Sequence, residues 1–142
     1  MSHLRDRRRE GGFTLIEVLL VLVILVVLGS LAVVAYGPIQ AKMKLNAAKS
    51  QIGLFETPLE AYQLDIGMYP NSAEGLEALI APPPSVPPTK WSGPYLKAAM
   101  IPADPWGNYY QYSCPGMHNP SSFDIWTVTP DGFEIGNWPE GT

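Results

Sequence analysis

The chain is short of the residues that most often announce a chemistry. It has one cysteine, Cys114, in 142 residues, so no internal disulfide can form. Neither histidine or basic residue stands within a few positions of Cys114 to activate its thiol. The two histidines, His3 and His118, lie far apart and form no metal-ligand spacing. His118, between Met117 and Asn119, reads as a lone exposed loop residue. No nucleophile motif, phosphate-cradling glycine loop or metalloprotease helix occurs, and the sequence predicts no catalytic residue and no enzyme. Charge is also scarce, at 15% of residues. Of the nine lysines and arginines, four crowd into Arg5, Arg7, Arg8 and Arg9. Without residues 1–12 the chain loses those four and the two acids Asp6 and Glu10, so its formal charge moves from −4 to −6. So acidic a chain lacks the basic footprint that nucleic acid demands. There is no internal repeat.

What the chain does have is one long apolar run. It opens in Gly12-Phe13-Thr14-Leu15-Ile16-Glu17-Val18-Leu19-Leu20, directly after the basic stretch. From Val18 to Tyr36 the one small polar side chain is Ser30, and a run of about 20 residues spans a bilayer as a helix. Glu17 sits just inside its start, and a carboxylate at such a depth calls for a partner. A cleaved secretory signal, cut after Ala32, is one reading, but such h-regions are about 7–15 residues long and carry no acid. A signal anchor with its arginine flank inside explains the topology and leaves Glu17 unexplained.

The rest, 38–142, is about the size of one small domain, with room for a modest core. Fifteen prolines and 13 glycines in the chain mean that much of it is ordered loop. Gly37-Pro38 weakens or kinks the helix. An amphipathic helix over about 39–66 follows, ending at Gly67. Ala48, Ile52, Phe55, Leu59, Tyr62 and Ile66 share one face of it. Pro58 interrupts that pattern, and a kink near 54–58 is expected, with two separate helices as the alternative. A short helix over about 73–81, capped by Ser72 or Asn71, buries Leu76, Leu79 and Ile80. The proline-rich loop 82–95 reads as an extended, polyproline-like connector. A β-rich region spans 106–138: a turn at 104–108, strands at 109–113 and 123–128, and turns at Asn119-Pro120 and 130–132. A small antiparallel sheet packed on the amphipathic helix makes an α+β fold.

The residues GFTLIEVL at the head of the run resemble the processing motif of prepilins. Further stretches extend the likeness: YQLDIGMYPNSAEGLEAL, GPYLKAAMIPADPWGNYYQY, FDIWTVTPDG and IGNW. Together they resemble the major pseudopilins of bacterial type II secretion systems over nearly the whole chain. The resemblance implies a pilin-like fold, a leader of residues 1–12 and a transmembrane, filament-core helix over 13–37. It implies cutting after Gly12 by a prepilin peptidase on the cytoplasmic side and N-methylation of Phe13. It implies a single-pass protein of the inner membrane whose periplasmic domain, 38–142, joins a homopolymer, the pseudopilus, that drives folded proteins across the outer membrane. Minor pseudopilins and an inner-membrane assembly platform are the implied partners. Glu17 would pair with the Phe13 amine of a neighbouring subunit; the plainer reading is a residue snorkelling at the membrane edge.

The resemblance also implies calcium. The family carries a calcium ion in the loop of its last sheet, and Asp124 and Asp131 match the spacing of its acidic ligands. Relatives have an acidic insertion between PDG and IGNW, where this chain has only Phe133-Glu134. The plainer reading makes Asp131 a turn aspartate capping its own backbone and Asp124 an exposed strand residue. In a second departure, Val34 stands about where relatives have a helix proline, with Gly37-Pro38 a few residues later, which shifts the expected break outward. Two other functions remain open on the residues: a subunit of another type IV pilus-like apparatus, and a membrane-anchored periplasmic domain that does not polymerise.

Overall fold

The computed structural model describes residues 11–139. The order is helix α1 (Leu15–Ile66), a 3-10 turn of helix (Leu76–Leu79), then strands β1 (Gln111–Ser113), β2 (Asp124–Val128) and β3 (Glu134–Gly136). The chain falls into two compact units, divided between Gln40 and Ala41. In the first, the apolar side chains from Phe13 to Val34 are exposed. By length and composition the helix is able to cross a membrane.

Helix α1 carries the apolar run on into the amphipathic segment, as expected. It is assigned without interruption over 52 residues, through Pro38 and Pro58. Each proline removes one backbone hydrogen bond, at about 3 kcal/mol in a helix interior. At Pro58 the neighbours Phe55 and Leu59 are both fully buried, and burying each such side chain contributes about 1.5–3 kcal/mol. Packing therefore outweighs the proline, and the two-helix alternative is wrong. Pro38 is exposed, and nothing packed against it among the described residues explains why the helix runs on there. The helix stops where expected: Gly67 has φ 95°, and its N–H donates to the Gln63 carbonyl at 2.8 Å, a left-handed glycine stop.

In the second unit Ala48, Ile52, Phe55, Leu59 and Tyr62, at 0–2% exposure, are the helical side of one core. Its other side holds Leu76, Leu79, Tyr110, Phe123, Ile125 and Ile135. Phe55 meets Tyr110 edge to face at 5.5 Å between ring centres, and Tyr69 meets Phe123 at 4.9 Å. The sheet is antiparallel in the order β1-β2-β3. Tyr112 pairs with Ile125, and Thr127 with Ile135.

Two expectations need correcting. The helix over 73–81 is a single 3-10 turn, Leu76–Leu79, because Gly75 takes φ 62° and stops helical backbone from running through it. Asn71 caps the turn before it, its Oδ1 accepting from the N–H groups of Ala73 at 2.9 Å and Glu74 at 3.0 Å. The proline-rich loop is not one extended rod. Val86 N–H donates to the Pro83 carbonyl at 3.0 Å, and Lys90 N–H to the Pro87 carbonyl at 2.9 Å. These are turns, which the fixed φ of proline suits as well as it suits polyproline.

Candidate functional site

At the N-terminal end Gly11 to Thr14 precede the helix, and Thr14 is its N-cap. The Thr14 N–H donates to Glu17 Oε2 at 2.9 Å, and the Thr14 hydroxyl donates to the same oxygen at 3.0 Å. The Glu17 N–H in turn reaches the Thr14 hydroxyl at 3.4 Å. This is a Thr-x-x-Glu capping box, which satisfies backbone donors that a helix start leaves over. Sequence reasoning gave Glu17 only an assembly role and missed the box, although Thr14 and Glu17 have its spacing. Gly12 and Phe13 are exposed just ahead of it, Phe13 at 90%. Residues 1–10 of the expected leader lie outside the described residues.

The two candidate calcium ligands lie in very different surroundings. Asp124, at the start of β2, is 2% exposed, not the exposed strand residue of the plainer reading. Its Oδ2 accepts from the His118 backbone N–H at 2.8 Å and lies 3.2 Å from His118 Nδ1. Its Oδ1 accepts from the Asn119 N–H at 3.0 Å and from Asn119 Nδ2 at 2.9 Å. Burial works to raise the Asp124 carboxyl, but the bonds from His118 and Asn119 together hold it below the ordinary aspartate value. Asp131 is exposed in the turn between β2 and β3. That turn is capped by Thr129, whose hydroxyl oxygen accepts the Phe133 N–H at 3.0 Å, and Gly132 sits in it at φ 85°. Calcium takes about 6–8 oxygens. Here one carboxylate is already saturated by donors, and no three histidine, cysteine or acidic residues gather among the described residues. The arrangement does not fit a calcium ion.

His118 is the exposed loop residue that its sequence neighbours suggested, but it does not stand alone. Its ring lies flat on Trp138, with centroids 3.8 Å apart and 10° between planes. The rest of IGNW is equally committed. Ile135 is buried in the core, and the Trp138 ring folds over Gly136, where a Cβ would collide with it. Asn137 grips β2 with its Oδ1 accepting from Ile125 N–H at 3.0 Å and its Nδ2 donating to the Phe123 carbonyl at 3.0 Å. Cys114 is half-buried, its thiol donating to the Ser122 carbonyl at 3.5 Å.

The other distinctive stretches are structural too. In DPWG, Asp104 is 5% exposed and accepts from the N–H groups of Trp106 at 2.9 Å and Asn108 at 2.8 Å. It also takes the hydroxyl of Thr127 on β2. Tyr112 donates its hydroxyl to the Pro70 carbonyl at 2.8 Å, tying β1 to the YPNS loop.

A long helix with an exposed apolar N-terminal stretch, headed by Gly-Phe and an early glutamate, together with a small antiparallel sheet, defines a pilin-like α+β subunit. The family model described as type II secretion system (T2SS), protein G matches residues 37–139. The prokaryotic N-terminal methylation motif matches residues 7–33. The chain is 43% identical over 145 aligned positions to the type II secretion system core protein G of Pseudomonas aeruginosa, covering 94% of this chain and 98% of that protein. It is 38% identical to the protein of the same name from Vibrio cholerae, over 95% of this chain and 96% of the other. It also resembles the crystal structure of the major pseudopilin from the type 2 secretion system of enterohaemorrhagic Escherichia coli. There the TM-score is 0.57 at 33% identity, over 70% of this chain and 90% of that one. This chain belongs to the type II secretion system protein G family, the major pseudopilins. It is a structural subunit and not an enzyme.

Proposed function

We propose that this chain is cut between Gly12 and Phe13 by a prepilin peptidase, N-methylated on Phe13, and polymerised into a periplasmic pseudopilus that drives folded proteins across the outer membrane. The observation that supports this most directly is the exposed apolar surface from Phe13 to Val34, with the methylation motif at its head. So continuous an apolar helix needs first lipid and then other helices around it. Before assembly the subunit stands in the inner membrane as a single-pass protein with residues 38–142 in the periplasm. In the filament, water is excluded from the bundled helices, and an unpaired Glu17 there would be strongly disfavoured. The Phe13 amine of a neighbour is the partner. One such contact, repeated without closure, produces a helical filament. Minor pseudopilins and an inner-membrane platform take part in starting and extending it.

The test is the mature N-terminus of membrane-extracted protein, by intact mass and terminal sequencing. A chain that starts at N-methylated Phe13 is expected. A start at Val33 would mean an ordinary secretory signal and end the filament argument, and an uncut chain would favour an anchored monomer. Loss of protein export on deleting the gene then separates this apparatus from another pilus-like one.

A further inference from the structure

Asp124 raises a question that the family reading leaves open: what holds the open end of the last hairpin in a chain whose residues do not fit calcium. Three segments converge there. The first is the loop 114–122, closed by Gly116 N–H donating to the Ser122 carbonyl at 3.1 Å and Ser122 N–H donating to the Asn119 carbonyl at 2.9 Å. Gly116 lets this loop lie against the carboxylate, since a Cβ at that position would collide with it. The second is the start of β2, whose Asp124 presents both oxygens to the loop and receives four contacts from His118 and Asn119. The third is the segment after β3, where Asn137 extends the pairing with β2 and Trp138 stacks on His118.

We infer that the open end of the β2–β3 hairpin, opposite its turn, is held in this chain by a metal-free lock, in which His118 and Asn119 occupy the Asp124 carboxylate and Trp138 closes over His118. The lock does physically what a bound cation would do. It satisfies a buried carboxylate with aimed donors, and it ties the 114–122 loop, the start of β2 and the segment after β3 to one point. A carboxylate that accepts several backbone and amide donors is as well satisfied as one on a metal. Trp138 contributes what hydrogen bonds alone do not, a ring stack that fixes the C-terminal segment. This inference is about the folded domain, and it stands or falls separately from whether the chain polymerises.

The test uses the full chain extracted in detergent, unfolded thermally with tryptophan fluorescence as the readout, in excess calcium and in chelator. Calorimetric titration with calcium runs beside it. The same midpoint in both conditions and no binding heat are expected. His118→Gln and Trp138→Leu should each lower the midpoint by about 4 °C or more, equally with and without calcium. Asp131→Asn should change neither the midpoint nor its indifference to calcium. Saturable calcium binding that raises the midpoint, and that Asp131→Asn abolishes, would overturn the lock. So would His118→Gln and Trp138→Leu chains that melt where the parent does. Should Trp138→Leu fail to fold, His118→Gln alone decides, because it keeps the backbone donor to Asp124 and removes only the ring.

Discussion

Asp104 offers the sharpest test of how the DPWG stretch works. Its carboxylate is buried and accepts three donors: the backbone N–H groups of Trp106 and Asn108 and the hydroxyl of Thr127. Thr127 is itself 1% exposed, so water cannot replace the lost acceptor. Asp104→Ala therefore leaves a buried hydroxyl without its acceptor, about 1–3 kcal/mol, and removes bonds to a charged acceptor worth about 1.5–3 kcal/mol each. The exposed Asn108 recovers part of that from solvent. A net loss of about 3–5 kcal/mol is a large share of the stability of a small domain. At about 4 °C per kcal/mol for a domain near 100 residues, the midpoint should fall by ~12–20 °C. Asp104→Asn keeps an oxygen for the two turn donors and offers Thr127 an amide, so it should lose about 1–2 kcal/mol. Thermal melts of the detergent-extracted chain, followed by near-ultraviolet circular dichroism, measure both. If Asp104→Ala melts within a degree or two of the parent, the turn does not depend on this clamp.

Tyr110 has a buried hydroxyl with no hydrogen-bond partner among the described residues, and burial pushes its phenol up to about 12. Tyr110→Phe should therefore leave the melting midpoint unchanged or raise it, and a clear fall would reveal an ordered water on that hydroxyl. Asp104 and Asp124 both have carboxyls lowered in the folded state by their donors, against the opposing effect of burial. Their contribution to stability is then complete above the unfolded aspartate value of about 3.9 and is lost as pH falls below it toward the folded values. Acid melts of the parent should steepen in that range, and Asp104→Asn should flatten them; identical acid profiles would refute the linkage. Glu17→Ala should leave cleavage and membrane insertion intact and abolish filaments seen by electron microscopy. Thr14→Ala should be cleaved and still polymerise.

How much of this was legible in the sequence depends on the range of the contact. The core face of α1 could be read because the 4-3-4-3 spacing of Ala48, Ile52, Phe55, Leu59 and Tyr62 is a local signal of helical period. The strands around Tyr112 and Ile125 could be read from their β-branched and aromatic residues, and the helix stop from Gly67. Pro58 left a kink and two separate helices both open, since its cost is local while the burial that keeps one helix comes from side chains of the sheet and the 76–79 turn. The His118 stack was invisible because Trp138 is twenty residues away, and nothing in Met117-His118-Asn119 hints at a ring above it. Asp124 was misplaced because β2 does not alternate cleanly: Asp124 and Ile125, neighbours on opposite faces, are both buried. A strand covered on both sides gives no period-two signal. At the N-terminus what went unread was the part Thr14 plays.

That part bears on how one carboxylate would serve both helix and filament. Both Thr14 donors converge on Glu17 Oε2, and no hydrogen bond to Oε1 occurs among the described residues. A carboxylate has about four acceptor sites over its two oxygens, so capping the helix does not use up Glu17. The box also fixes the side chain back over the first turn, toward the end where the new amine of Phe13 appears on cleavage. In a filament a neighbour's amine would then meet an acceptor already oriented, with little side-chain entropy left to lose. On this reasoning Thr14 positions the group and Glu17 makes the contact, which is why the two alanine substitutions are expected to differ. Equal loss of filaments from both would mean that the cap itself, and not a charge pair between subunits, is what assembly requires of Glu17.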